Sequence, residues 1–163
     1  MIPRPHLLAG FILFLAFTAP AAARSFQGVV SHISDGDTLW VRPASGGAPR
    51  AVRLQGLDAP EICQSHGKQS RDALSSRVLH QPVVVNSRAR DSFQRTVGRV
   101  SLGGHDVGAW MVGRGHAWSY RYRGKPGPYA AQESQARSGR LGLWGYASPV
   151  EPRVFRKRHG SCR

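Results

Sequence analysis

The chain has 163 residues, with 23 Lys and Arg against 9 Asp and Glu, and a formal net charge of +14. That length suits one ordinary domain with a real core, and the sequence carries neither a fixed-period repeat nor a long low-complexity linker, which excludes a repeat array or a string of domains. A surface this basic attracts polyanions, and nucleic acid and an anionic membrane satisfy it equally, so charge alone does not choose between them.

Residues 1–23 read as a signal peptide. Arg4 and His6 precede an apolar run from Leu7 to Phe17, and "APAAAR" then offers Ala21 and Ala23 at the small-residue positions of a cleavage site. The competing reading, an uncleaved anchor, has to use the uncharged stretch Leu7 to Ala23. That stretch contains Gly10 and Pro20 and falls short of the roughly 20 apolar residues a span needs. Cleavage after Ala23 leaves residues 24–163 as a secreted or periplasmic domain. Nothing beyond Ala23 is apolar enough for stable membrane insertion, and the domain is expected to be monomeric.

From Phe26 to Leu57, short runs rich in Val, Leu and Ile ("FQGVVSHI", "TLWV", "AVRLQGL") alternate with the turn signals "SDGD" and "PASGGAPR", which predicts a meander of three strands. In the third strand Val52 and Leu54 share one face, and period-two alternation points Arg53 to the other. Breakers then thin out, and Leu74 and Val78 stack one turn apart, predicting a helix over Lys68 to His80. "PVVV" and "TVGRVSL" predict two more strands around the loop "NSRARDSFQR". "DVGAWMVGRG" suits a short helix capped by Asp106 and ended by a glycine, and a last helix is expected from Pro128 to Gly139. Five strands with a helix after the third give the outline of a mainly β, α+β domain: a five-stranded OB-fold barrel with about three helices. The terminal "RVFRKRHGSCR", part of a basic tail over about 150–163, is a charge run expected to be mobile and nonspecific, with phosphate binding as its alternative.

Two cysteines, Cys63 and Cys162, remain in a chain bound for an oxidising compartment. One disulfide between them is the leading reading. Free thiols stay open, as does zinc through the Cys63 and His66 spacing of "CQSH".

Four of the nine acids crowd into "SDGDTLW" and "LDAPE". Turn chemistry accounts for either stretch alone. If strands two and three are antiparallel neighbours, however, Asp37 and the pair Asp58 and Glu61 open at the same end of the barrel. Carboxylates converging from separate loops make a hard-oxygen site of the kind Ca²⁺ accepts. Arg53 leads to the same mouth, and Arg95 is a second fork for the non-bridging oxygens of a phosphate.

Taken in order, "SDGDTL", "VRLQGLDAPE", "DSFQR", "GRGHAWSY" and "GLW" resemble the staphylococcal nuclease (thermonuclease) family over about residues 26–146. The resemblance implies an OB fold and a Ca²⁺-dependent nuclease acting on DNA, RNA or both. It assigns Asp37 and Asp58 as side-chain metal ligands, Ala59 as a backbone-carbonyl ligand and Asp35 as support for the turn. Arg53 and Arg95 become the phosphate-binding arginines, and Glu61 the residue that positions or deprotonates water. Tyr120 and Tyr122 fall where the family carries aromatics near the nucleotide, with packing as their other reading. The chain departs from the family at Ser92, Phe93 and Gln94, where a basic residue, a Tyr and a Gly often precede the arginine. Two alternatives follow: an OB-type nucleic-acid-binding module without catalysis, and a cationic protein that binds envelope material.

Overall fold

Alternation of buried and exposed side chains builds the barrel. The computed structural model describes residues 24–162, so the expected signal peptide lies outside the described residues. In chain order the elements are β1 (Arg24–Ile33), β2 (Thr38–Pro43), β3 (Arg50–Leu54), β4 (Leu57–Asp58), α1 (Gly67–Val78), β5 (Pro82–Arg90), β6 (Thr96–Leu102) and β7 (His105–Asp106). These are followed by α2 (Val107–Gly113), β8 (Trp118–Ser119), α3 (Ala130–Ser138), a 3-10 turn over Gly142–Gly145 and α4 (Pro152–His159). The main sheet runs β3-β2-β1-β5-β6-β7, and β3 also pairs with β6 in parallel, which closes five strands into a barrel. The five-stranded barrel therefore stands as the sequence predicts, with four α-helices among the described residues rather than about three.

Inside the barrel, Val30, Leu39, Val41, Val52, Val85 and Val100 are fully buried. Helix α1 seals one end with Leu74 and Val78, each worth about 1.5–3 kcal/mol of transfer free energy when fully buried. The helix stops at Val78, two residues short of the expected end, because His80 takes a positive φ of 62° and its amide bonds the Val30 carbonyl at 2.9 Å. Asp106 caps α2 as predicted, accepting from the Ala109 amide at 3.1 Å, and Gly115 at φ 73° turns the chain after it. A second cluster forms where Trp118 and Trp144 meet edge-on at 4.4 Å, beside Ala136 and Leu143. The Arg137 guanidinium lies 3.8 Å from the Trp144 ring centre.

The basic tail is the main correction. Rather than remaining mobile, residues 152–159 form α4, with the buried Pro152 in its first turn. The segment is tied down at both ends: Gln64 Nε2 donates to the Val150 carbonyl at 2.6 Å, and a disulfide joins Cys63 to Cys162 with Cα atoms 5.8 Å apart. Both anchors reach the same loop, which runs from β4 into α1. No helix among the described residues is long and apolar enough to cross a membrane.

Candidate active site

The turn between β1 and β2 positions the first carboxylate. Asp35 Oδ1 accepts from the Asp37 amide at 2.9 Å, an Asx turn that hands the chain into β2 with the Asp37 side chain directed inward. Gly36 is required here, since a Cβ at that position would collide with Ser70 Oγ and press on Ala59 Cβ at 2.8 Å. Asp37 is 3% exposed, and its Oδ1 takes bonds from Arg53 Nη1 at 2.7 Å and Thr38 Oγ1 at 3.0 Å. Its Oδ2 accepts from the Ala59 amide at 3.2 Å. Burial pushes this carboxyl up to about 6, against the pull of Arg53.

Strand β3 runs antiparallel to β2, with Arg53 opposite Thr38. Because Val52 and Leu54 point into the core, Arg53 faces the cleft, and its fork spans two carboxylates: Nη1 on Asp37 and Nη2 on Asp58 Oδ1 at 3.1 Å. Asp58, 2% exposed, is held on β4 by pairing with Trp118 of β8. Glu61 follows on the loop into α1. Its backbone packs so tightly on Gly67 that any Cβ there would meet the Glu61 carbonyl oxygen.

Arg95 enters from the β5–β6 loop. Asp91 Oδ1 accepts from the amides of Phe93 and Arg95 at 3.0 and 2.9 Å, and Asp91 Oδ2 takes Arg95 Nε at 2.7 Å. Gln94 sits at φ 62° within this loop, and Phe93, 78% exposed, lies beneath the Arg95 guanidinium at 5.3 Å. Asp91 thus organises the loop of Ser92, Phe93 and Gln94, and Arg95 Nη1 reaches Thr38 Oγ1 at 3.2 Å. Asp35, Asp37, Arg53, Ala59, Glu61 and Arg95 all line one open cleft of ≈ 640 Å³.

A second groove of ≈ 730 Å³ shares Arg53, Phe93 and Arg95 with this cleft and continues past Arg88, Arg99 and Lys125. Tyr120 and Tyr122, 42% and 61% exposed, line it, so neither ring is spent on core packing.

Sequence reasoning missed one group outright. Arg156 of α4 sets Nη2 on Asp58 Oδ2 at 2.9 Å, and its Nη1 on Asp58 Oδ1 at 3.1 Å and Glu61 Oε1 at 3.0 Å. Its hydrogen bonds to Asp58 raise the guanidinium pKa well above the ordinary value. The available signal was the cysteine pair: Cys63 lies two positions past Glu61, so a disulfide to Cys162 carries the basic segment to the acids. Thr38, Trp40 and Asp91 were also passed over. Thr38 and Asp91 hold the site's other groups, and Trp40 lines the cleft with Nε1 bonded to Ser34 Oγ at 3.1 Å.

The donor set fits a hard divalent cation. Two buried carboxylates, one from the β1–β2 turn and one from β4, converge on one guanidinium, an arrangement in which a cation and the arginine are alternative counter-charges. Among the described residues no three His, Cys, Asp or Glu side chains form a ready-made cage, so carbonyl, water or substrate oxygens would have to complete the coordination. At Ala59 the structure places the amide against Asp37, and the carbonyl is the group that would serve as ligand.

The chain is similar to several named proteins. Residues 51–146 match the family model described as staphylococcal nuclease homologue. An "Uncharacterized endonuclease" of Haemophilus influenzae is 31% identical over 158 residues, which cover 97% of this chain and 88% of that protein. A "Micrococcal nuclease" of Shigella flexneri is 37% identical over 154 residues, covering 88% of this chain and 87% of that one. "Protein ParB" of Escherichia coli is 34% identical over 166 residues, covering 95% and 92% respectively. With the closed barrel and this match spanning more than half its length, the chain belongs to the staphylococcal nuclease family.

Proposed function

We propose that the chain is an exported, Ca²⁺-dependent nuclease that hydrolyses phosphodiester bonds of DNA, RNA or both. The observation that carries this reading is the meeting of Asp37, Glu61, Arg53 and Arg95 at one cleft, with Asp58 bonded to Arg53 behind it, that opens into a basic, aromatic groove. Asp37 and Asp58 would hold the cation, with the Ala59 carbonyl as a further ligand. Bound there, Ca²⁺ supplies Lewis acidity and a template for the phosphate oxygens.

The protein's own groups account for the remaining chemistry. Arg53 and Arg95 present planar forks to the non-bridging oxygens, where negative charge builds as water attacks phosphorus. Glu61 orients that water and takes its proton. The P–O ester bond then breaks, leaving a phosphomonoester and an alcohol that acquires its proton from solvent. Tyr120 and Tyr122 offer stacking faces for bases, each contact worth about 1–3 kcal/mol. Export is supported by the disulfide, which persists in oxidising compartments.

The test is cleavage of a quenched single-stranded DNA oligonucleotide by residues 24–163, in millimolar Ca²⁺ and again in excess chelator. Cleavage that needs Ca²⁺ and disappears in Glu61→Gln is the expected result. Binding without cleavage under every divalent metal tried would transfer the chain to the binding-module reading.

A further inference from the structure

We infer that Arg156 is a third phosphate-facing guanidinium of this site, delivered by α4 and held in place by the Cys63–Cys162 disulfide. The inference rests on the nuclease reading above and adds a residue to it. Three observations carry it.

The first is placement. Arg156 lines the same cleft as Arg53 and Arg95, and it reaches Asp58 and Glu61 across 98 and 95 residues of sequence. The second is how firmly that placement is built. The segment carrying α4 is fastened at its head by Gln64 to Val150 and at its tail by the disulfide, and both fasteners grip the loop that presents Glu61. The Gln64 side chain also accepts from the Glu61 amide at 3.2 Å, so one side chain ties the Glu61 backbone to the segment that leads into α4. The third is its likeness to Arg53. Each guanidinium bridges two carboxylates of the cleft, Arg53 on Asp37 and Asp58, Arg156 on Asp58 and Glu61.

A divalent cation held by Asp58 would offset the anion that Arg156 now shares with Arg53. The freed fork keeps its hold on Glu61 and turns its remaining donors toward the nearest uncompensated anion, which is the phosphodiester. Charge balance favours this. The cation and Arg53 together would balance Asp37, Asp58 and Glu61, and Asp91 balances Arg95 through its Nε, so Arg156 adds the net positive charge among these groups while Arg95 still offers its Nη donors to the phosphate. A fork that α4 and Glu61 already hold beside the phosphate needs little reorganisation, which is what makes such donors effective on a developing oxyanion. Through Glu61 Oε1, Arg156 also orients the carboxylate that receives the water proton.

The test compares wild type, Arg156→Ala, Arg156→Lys and, as a charge-matched control on an exposed position of the same helix, Arg153→Ala. With the oligonucleotide substrate, kcat of Arg156→Ala should fall by about a hundredfold, the size expected for one preorganised donor. Arg156→Lys should recover only part of that, because an ammonium lacks the two-pronged fork, and Arg153→Ala should stay near wild type. Calorimetric titration with Ca²⁺ alone, without nucleic acid, should show tighter binding in Arg156→Ala, since a competitor for Asp58 is gone. Cys63→Ser/Cys162→Ser should lower kcat in the same direction and lose most of its effect when Arg156 is already Ala.

Faster or unchanged cleavage by Arg156→Ala overturns the inference, the first outcome making Arg156 a blocker of the metal site and the second a structural ion pair. Losses equal in Arg153→Ala overturn it too, reducing the effect to overall charge. If wild type cleaves nothing, the nuclease reading fails on its own. Anisotropy with a phosphorothioate oligonucleotide then decides Arg156: weaker binding than in Arg153→Ala supports phosphate contact, and equal binding removes it.

Discussion

Arg53 shows what one side chain does at the centre of this site. It is the counter-charge of two carboxylates that are almost wholly buried, so its removal leaves both without their shared fork. In chelator, Arg53→Ala should destabilise the fold by about 3 kcal/mol, at the lower end for stranding a buried charge, and Ca²⁺ should restore part of the loss by taking the same position. Urea unfolding with and without Ca²⁺ measures both, and equal midpoints for variant and wild type in chelator would refute the shared-counter-charge account. The variant's kcat should fall by about 10²–10³, and Arg53→Lys should recover little because one ammonium cannot bridge Asp37 and Asp58. These residues were legible in the sequence because strand alternation fixes the face of Arg53, and antiparallel pairing fixes which loops meet. Arg156 was not legible, since its position depends on a helix docked from the far end of the chain, which no local pattern encodes.

Among the elements, α1 carries the loop of Glu61 and stands on a histidine pair. His66 precedes the helix at φ 68°, its ring stacked on His116 with Nε2 and Nδ1 3.1 Å apart, and Ser70 Oγ donates to the His116 carbonyl at 2.7 Å. Burial, then the neighbouring His66 and Arg114, push His116 down to about 4 from its ordinary 6.5, and burial lowers His66 as well. The unfolded chain therefore binds more protons than the folded one between those values, and this pair's contribution to stability is lost as pH falls from about 6.5 toward 4. Asp37 acts with the opposite sign, because its raised pKa favours the folded state at the acid end of the range. Comparing wild type with His116→Gln isolates the histidine: the variant should lose less stability between pH 7 and 4.5 in urea titrations, and parallel losses would exclude His116 as the acid-sensitive group. The helices here were readable to within two or three residues. Helix α4 escaped because its run of Arg, Lys and His carries too few apolar positions to signal burial, and its order comes from Gln64 and the disulfide instead.

For the molecule as a whole, the sequence displays the excess of positive charge but not where it gathers. The fold collects Arg88, Arg99 and Lys125 along the groove that leaves the carboxylate cleft beside Arg53 and Arg95, with Tyr120 and Tyr122 on its wall. The total charge comes from composition, whereas its alignment with the site comes from pairing β5 and β6 on one side and placing the chain after β8 on the other. Under the proposed function, such a track would hold several consecutive phosphates in addition to the one being cut. If about five phosphates are neutralised, log Kobs for a single-stranded oligonucleotide should fall with log salt at a slope of about −3.5, from roughly 0.7 per phosphate. Replacing Arg88 and Arg99 by Ala should bring the slope to about −2 while leaving kcat at saturating substrate near wild type, because these residues lie along the track rather than at the carboxylates. A wild-type slope shallower than −1 would confine binding to the phosphate at the carboxylates and leave the basic groove without a role in substrate capture. A slope that the double variant does not change would move the bound strand to another face of the molecule.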